Sequence, residues 1–224
     1  MTSFNIETYL VSLSENVTKI IINNNNITYL PDLSRFKKLK LLDCTHNKLT
    51  SLPELPKSLK ILYCYYNQLT SLPELPETLE RLECSNNKLT SLSVLPDKLQ
   101  ILDCNNNQLT TLPKLPKSLT KIYCDNNKLT CLPSLPESLT KIYCSHNSLT
   151  TLSKLPEIVE ALECSYNKLT SLPELPESLT QLHCSHNKLT SLPKLPESLE
   201  ELHCSRNQIT TLPVFPESLE RIYM

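Results

Sequence analysis

Residues Leu179–Ser198 read LTQLHCSHNKLTSLPKLPES, and this stretch decides the fold. When it is shifted by twenty positions in either direction along the chain, the same pattern reappears with few changes. A unit this short cannot bury its own apolar side chains, so it is stable only when it stacks on equivalent units. The repeat therefore predicts a solenoid in which each unit forms one turn.

The repeat can be followed through almost the whole chain. The first unit begins at Val17, and the second begins 22 residues later at Leu39. From Leu39 the period is twenty up to the unit that begins at Leu199, and the fragment Leu219–Met224 supplies one further strand. We therefore predict a repeat array over residues 17–224, with ten repeats and a terminal strand.

Residues 1–16 lie outside the repeat. Their apolar side chains follow the i, i+3, i+4, i+7 spacing of one helix face, at Ile6, Tyr9, Leu10 and Leu13. The apolar end of a solenoid needs a covering element, so we predict an N-terminal capping segment over residues 1–16 that contains a short helix. A short strand from Tyr9 to Leu13 is the alternative.

Each unit contains a strand and an extended return segment. In the unit quoted above, apolar and polar residues alternate from Gln181 to Ser185, so Leu182 and Cys184 should point inward and their neighbours outward. Equivalent strands then form one parallel sheet. Asn187 recurs in all ten units, and a column of such amides can bind backbone groups where the chain leaves the strands. Two prolines three residues apart disfavour helix in the return segment.

This pattern, LxxLxC followed by an asparagine and ending in LPxLP, resembles the leucine-rich repeats, specifically the short type of bacterial effectors. The glycine-free composition, rich in Asn and Lys, is also similar to that of leucine-rich-repeat proteins of giant amoebal viruses. The resemblance implies an α/β-class solenoid with a curved parallel β-sheet on its concave side and an extended or polyproline-like convex side. It further implies little helix beyond the N-terminal cap, and protein binding on the concave face.

Composition and motifs exclude several function classes. With 22 Lys and Arg against 23 Asp and Glu, the net charge of −1 gives no reason to expect binding to nucleic acid or to a membrane surface. The chain has no glycine for a phosphate-binding loop, no HExxH motif and no nucleophile elbow, so we expect neither enzyme activity nor a cofactor. The N-terminal residues lack a secretory signal, and we expect a cytoplasmic protein, in the host cytoplasm if it is viral or a delivered effector.

Nine of the ten cysteines lie in the same slot of the repeat, twenty residues apart from Cys44 to Cys204. Cysteine is small and readily buried, and a line of nine thiols neither pairs completely nor surrounds a metal ion. We interpret these cysteines as reduced packing residues, as is usual in a reducing compartment. Cys131 lies on the return segment instead, where we predict a free surface thiol.

The outward strand positions vary most between units, and tyrosine and histidine concentrate there. Solvated positions that drift freely would also vary, but drift alone would not confine aromatic side chains to this face. Tyrosine is a favoured interface anchor because it offers a large contact area at a low entropic cost. The predicted partner-binding residues on the concave face are Tyr63, Tyr65, Tyr66, Arg81, Glu83, Asp103, Lys121, Tyr123, Lys141, Tyr143, Glu163, His183 and His203.

His183, His186 and His203 fall close enough together for a metal ion to be considered. Histidines also cluster by chance on a face that carries many of them, so we expect no metal site.

The sequence thus predicts a protein-interaction scaffold whose concave sheet binds a protein partner. One alternative is a substrate-recognition arm for a ubiquitin ligase supplied in trans, because effector relatives often join such arrays to a ligase domain. The other is a self-assembling structural protein, because an uncovered parallel strand at the end of a sheet can pair edge to edge with another chain.

Overall fold

The computed structural model describes residues 4–224 and is a parallel β-solenoid with eleven short strands and one short helix. The chain divides into two compact units, the first ending at Leu109 and the second beginning at Thr110. The predicted parallel solenoid with little helix is confirmed.

The helix predicted in the N-terminal segment is present as α1, Ile6–Ser12, so the alternative of a strand was wrong. Asn5 caps it, because its side-chain oxygen accepts a hydrogen bond of 2.9 Å from the backbone nitrogen of Thr8. Ile6 and Leu10 are buried on its inner side, as expected. The Arg35 guanidinium donates to the carbonyl oxygens at the end of this helix, which ties the helix to the first repeat. Residues 1–3 of the predicted segment lie outside the described residues.

The strands are three residues long and pair in parallel. In the first unit they follow the order of the sequence: β1 Lys19–Ile21, β2 Leu41–Asp43, β3 Ile61–Tyr63, β4 Arg81–Glu83 and β5 Ile101–Asp103. The second unit continues the same arrangement with β6 Lys121–Tyr123, β7 Lys141–Tyr143, β8 Ala161–Glu163, β9 Gln181–His183, β10 Glu201–His203 and β11 Arg221–Tyr223.

The pairing register reproduces the repeat period. Ile20 lies opposite Leu42, an offset of 22 residues, and Leu42 lies opposite Leu62, an offset of twenty. Leu182 and Cys184 are fully buried, while Gln181 and His183 are half-exposed. The predicted alternation is therefore confirmed, and it holds because adjacent side chains of a strand point to opposite faces.

After each strand the chain turns through a residue with positive φ, between 52° and 56°. This left-handed region is usually given to glycine, because a Cβ atom is crowded there. The chain has no glycine, and it uses Asn, His, Tyr and Arg instead, at Asn24, His46, Tyr66, Asn86, Asn106, Asn126, His146, Tyr166, His186 and Arg206. The sequence pattern identified these positions only as variable outward slots.

The predicted column of asparagine amides closes this turn. The Asn87 Nδ2 donates to the carbonyl oxygens of Cys64, Cys84 and Ser85 at 3.0–3.2 Å, and its Oδ1 accepts from the Leu69 nitrogen at 2.9 Å. One buried side chain thus satisfies four backbone groups in two successive repeats. The same contacts recur in both units, so the amides form a ladder that runs along the strands.

The return segment contains neither helix nor strand, and it packs its leucines inward as predicted. Leu55 and Leu75 are 4% and 5% exposed. A tight turn follows the second proline, in which the Leu59 nitrogen donates to the Pro56 oxygen at 2.9 Å. The adjacent Ser58 hydroxyl donates to the Leu39 oxygen at 2.7 Å and joins this turn to the previous repeat.

We predict that replacing Asn87 with Ala lowers the free energy of unfolding by about 3 kcal/mol, because several buried backbone groups lose their partner at once. Urea unfolding monitored by circular dichroism measures this loss. The matched control is Gln68→Ala, which truncates an exposed amide in the preceding repeat and should change stability by less than about 0.5 kcal/mol. Similar losses for the two variants would contradict the ladder's structural role.

Candidate functional site

The candidate site is the strand face, by which we mean the side of the strands that carries the half-exposed side chains. It corresponds to the face that the resemblance predicted to be concave. Six of the predicted residues lie in the first unit: Tyr63, Tyr65, Tyr66, Arg81, Glu83 and Asp103. Seven lie in the second unit: Lys121, Tyr123, Lys141, Tyr143, Glu163, His183 and His203.

In the first unit, Tyr65 and Tyr66 form an aromatic cluster with His46. Tyr66 stacks on the His46 ring with a centroid distance of 4.4 Å, and Tyr65 meets both rings edge-on at 5.6 and 5.9 Å. Tyr66 remains 51% exposed. Stacking arises because the positive-φ turn residues of adjacent repeats lie side by side. The cluster therefore offers an ordered but accessible aromatic surface.

The charged residues of the first unit are largely paired with each other. The Arg81 guanidinium lies 5.6 Å from the Tyr63 ring centroid and forms an ion pair with Glu83, whose Oε1 accepts from Arg81 Nε at 2.6 Å. Burial raises the pKa of the Asp103 carboxyl group, although its hydrogen bond from the Asn105 nitrogen acts in the opposite direction. Arg81 and Glu83 thus hold one another in position beside Tyr63.

In the second unit, Tyr123 and Tyr143 stack with a centroid distance of 4.9 Å. They lie at equivalent positions of β6 and β7, and Lys121 pairs with Lys141 at the other end of the same two strands. All four side chains are half-exposed. Burial raises the pKa of the Tyr143 hydroxyl, and the nearby Glu163 carboxylate adds to the shift. The two tyrosines remain neutral at physiological pH and can donate hydrogen bonds.

Two rows of rings border an open cavity of about 480 Å³ in the second unit. The turn row consists of His146, Tyr166 and His186, with successive centroids 4.1 and 4.0 Å apart. The strand row consists of His183, His203 and Tyr223, at 4.0 and 4.2 Å. Between the rows the lining is polar and small, at Ser145, Ser165, Ser185 and Ser205.

Glu201 lies against the strand row and is the most heavily contacted acid there. Its Oε1 is 3.2 Å from His183 Nε2 and 2.8 Å from His203 Nε2, and its Oε2 is 2.8 Å from an Arg221 nitrogen. Burial favours the neutral acid, but Arg221 and the two imidazoles outweigh it and lower the pKa of Glu201. The carboxylate is thus ionised and faces two ring nitrogens.

Glu163 flanks the same row on the other side. Its Oε1 lies 3.6 Å from His183 Nδ1. Burial raises the pKa of the Glu163 carboxyl group, while His183 and His203 act to lower it. His183 therefore has a carboxylate near each of its two nitrogens.

Several residues of the site were not among the predicted ones: His46, His146, Tyr166, His186, Glu201 and Tyr223. Two of the rings, Tyr166 and His186, occupy the turn slot that holds asparagine in other repeats, such as Asn86. Asparagine tolerates positive φ, so its recurrence there was a usable signal that this slot is a turn. The stacking between successive repeats could not be read from the spacing alone.

The nine cysteines of the repeat slot are buried, and Cys131 is exposed, as expected. Burial raises the pKa of the Cys44 thiol to about 12 and raises that of Cys64 and Cys84 further. These thiols are therefore protonated packing groups without nucleophilic character. Cys131 is the accessible thiol in the part of the chain that the structure describes.

A family comparison now identifies the repeat. The family described as "Leucine Rich repeats (2 copies)" matches residues 15–57, 57–97, 97–137 and 177–217, which is well over half of the chain. The chain belongs to the leucine-rich-repeat family.

Solved structures of bacterial effectors are similar to this chain. YopM from Yersinia enterocolitica is 30% identical over 95% of this chain and 60% of its own, with a TM-score of 0.66. YopM from Yersinia pestis, a leucine-rich effector protein, is 37% identical over 92% of this chain and 76% of its own, with a TM-score of 0.57. A Shigella effector leucine-rich-repeat domain is 31% identical over 74% and 75%, with a TM-score of 0.63.

This leucine-rich-repeat chain thus spans 60% of the length of the Y. enterocolitica protein. Among curated proteins, none matches it. Within residues 4–224, no helix combines the length and the apolar character that a membrane crossing requires.

We predict that the chain loses stability in alkaline solution. The buried thiols stay protonated in the folded state, whereas in the unfolded state they ionise near pH 9, so stability falls as pH rises from about 9 towards 12. Each thiol contributes up to about 1.4 kcal/mol per pH unit in this range. Urea unfolding between pH 7 and 11 with a reductant measures the slope.

The variant Cys84→Ala should reduce that slope, even though the cavity it leaves also lowers stability at pH 7. Cys131→Ser is the matched control, because its thiol is exposed, and it should leave the slope unchanged. A stability that stays flat above pH 9 would contradict the role given to the buried thiols.

Proposed function

We propose that this chain is a non-enzymatic protein-interaction module that binds a protein partner through its strand face. Leucine-rich-repeat folds serve in general as protein-interaction scaffolds, and the family assignment supports that level of the proposal. The observation that supports the strand face is the stacking of its rings into ordered, half-exposed rows.

Stacked rings suit binding for an entropic reason. A side chain that is already held by its neighbour loses little freedom when a partner covers it, so more of the contact energy remains as affinity. Tyrosine also supplies a hydroxyl group beside its apolar surface. Tyr66 and Tyr166 are 51% and 45% exposed, so each has most of its contact area still to bury.

Charge differs along the face and would select among partners. Lys121 and Lys141 lie beside the stacked Tyr123 and Tyr143, whereas Glu163 lies next to the histidines of the strand row. Such arrangements affect specificity and association rate more than they affect affinity. We expect a partner with acidic groups opposite the two lysines.

The proposal includes a reducing compartment such as the cytoplasm, supported by ten free cysteines of which nine are buried. The similarity to YopM, a leucine-rich effector protein, supports an effector-like role. A substrate-recognition arm for a ubiquitin ligase acting in trans, or edge-to-edge assembly, stays a hypothesis, because no contact in residues 4–224 favours either over simple partner binding.

We predict that Tyr63→Glu, Tyr65→Ser and Tyr66→Asn together abolish partner capture without unfolding the chain. These substitutions copy the residues that the next repeat carries at Glu83, Ser85 and Asn86, so the turn and the strand are preserved. The equivalent test of the second unit is Tyr166→Asn with His186→Asn. The measurement is cross-linked affinity capture from the native cell, with quantification of each captured protein.

The control variant replaces Val94 and Val214 with Ser. Both side chains are highly exposed on return segments, at 85% and 91%, so this variant removes apolar surface away from the strand face. It should capture the partner as the parent does, and all variants should show the parent's circular dichroism spectrum. Undiminished capture by both strand-face variants would overturn the proposal.

A further inference from the structure

We propose that His183, Glu201 and His203 form a binding site for a zinc ion on the strand face of the second unit. The site would reverse the expectation from sequence that this face holds no metal. It differs from the trio considered there, because His186 stacks on Tyr166 in the turn row and Glu201 takes its place. The inference does not depend on the binding of a protein partner.

The strand register creates this trio. His183 and His203 lie directly opposite each other on β9 and β10, and their rings stack at a centroid distance of 4.0 Å. Glu201 is two residues before His203 on the same strand, so its side chain points to the same face. The three residues therefore converge without any contribution from a flexible loop.

The two imidazoles direct the same kind of atom at one carboxylate oxygen. Glu201 Oε1 lies 3.2 Å from His183 Nε2 and 2.8 Å from His203 Nε2. The candidate ligand atoms all lie within 4.8 Å of one another. Zinc bonds of about 2.0–2.1 Å hold tetrahedral ligands about 3.3 Å apart, so only the two nitrogens need to approach, by at most about 1.5 Å. Small opposite rotations of the rings achieve this.

His203 Nε2 gives an independent indication. This atom is buried and has no hydrogen-bond partner, because the nearby Glu201 oxygen does not lie in a hydrogen-bonding direction. An unsatisfied buried nitrogen is costly, and a bound cation would provide the missing partner. The nitrogen belongs to a side chain that lines the open cavity, so an ion can reach it from solvent.

The surrounding charges are arranged as around known metal ligands. Glu163 lies 3.6 Å from His183 Nδ1, and a carboxylate at that nitrogen favours its protonation and leaves Nε2 free to bind metal. Arg221 contacts Glu201 through Oε2 and so orients the carboxylate with Oε1 towards the histidines. The guanidinium lowers the affinity through its charge, but it leaves the ligand oxygen accessible.

The ligand types select the metal. Two imidazoles and one carboxylate suit zinc, whereas calcium and magnesium prefer six or more oxygen ligands. Three protein ligands leave a fourth tetrahedral position, which water or a donor group from another molecule can fill. The residues thus point to a zinc site with one open position.

The test is calorimetric titration of the full chain with zinc chloride after removal of metals with a chelator. Because Cys131 is an exposed thiol that could bind zinc by itself, all measurements use a Cys131→Ser background. We expect one zinc ion per chain with micromolar affinity and no binding of calcium or magnesium. Substitution by cobalt should give the absorption of a tetrahedral site without thiolate charge-transfer bands.

His183→Tyr and His203→Tyr should each weaken zinc binding at least tenfold. Tyrosine occupies this slot in Tyr123 and Tyr143, so both variants should fold. Glu163→Gln should weaken binding by about tenfold or more as a positioning effect. The matched control, His186→Asn, removes another histidine from the same face and should bind zinc as the parent does.

Two outcomes would overturn the proposal. One is a parent chain that binds no zinc at 100-fold the protein's micromolar concentration in the titration. The other is unchanged zinc affinity in His183→Tyr and His203→Tyr, which would assign the binding to other groups. Melting temperatures recorded without zinc for every variant separate a loss of ligand from a loss of folding.

Discussion

The structure depends on the buried asparagine ladder. A solenoid turn of twenty residues must reverse its direction within a few residues, and the backbone groups at that turn face away from water. Asn87 satisfies four of them with a single side chain, and it connects two repeats in doing so. Because each amide binds both its own repeat and the preceding one, the local turn and the stacking of repeats are stabilised together.

This frame leaves the strand face free to carry other residues. Leucine and cysteine fill the interior, and the positive-φ turn is held from inside by asparagine, so the outward residue at the turn is not needed for the backbone's hydrogen bonds. His46, Tyr66 and Tyr166 can therefore occupy a strained position without glycine. The cost of the strain, about 1 kcal/mol per residue, is spread over the repeats and offset by ring stacking. Candidate binding surface and stable turn coexist in the same slot.

The extent to which the site was predictable follows from the same geometry. Tyr63, Tyr123 and Tyr143 were assigned correctly to the outward face, because strand alternation fixes the direction of a side chain. The pairing of Arg81 with Glu83 was not predicted, and neither was the contact of Glu201 with two histidines. Those contacts depend on side-chain rotamers and on which neighbours compete for a charge. A linear spacing does not contain that information.

By itself the sequence determined the parallel solenoid, the register of the strands, the inward cysteines and the face that carries aromatic residues. It could do so because a strict period of twenty residues makes every repeat a copy of one local solution. Only the tertiary structure decided which outward side chains meet. Residues twenty positions apart become neighbours across the strands, and the rings of His183 and His203 come together with Glu201 through that stacking. The strand face acquires its chemistry between repeats, where each repeat alone supplies a single side chain.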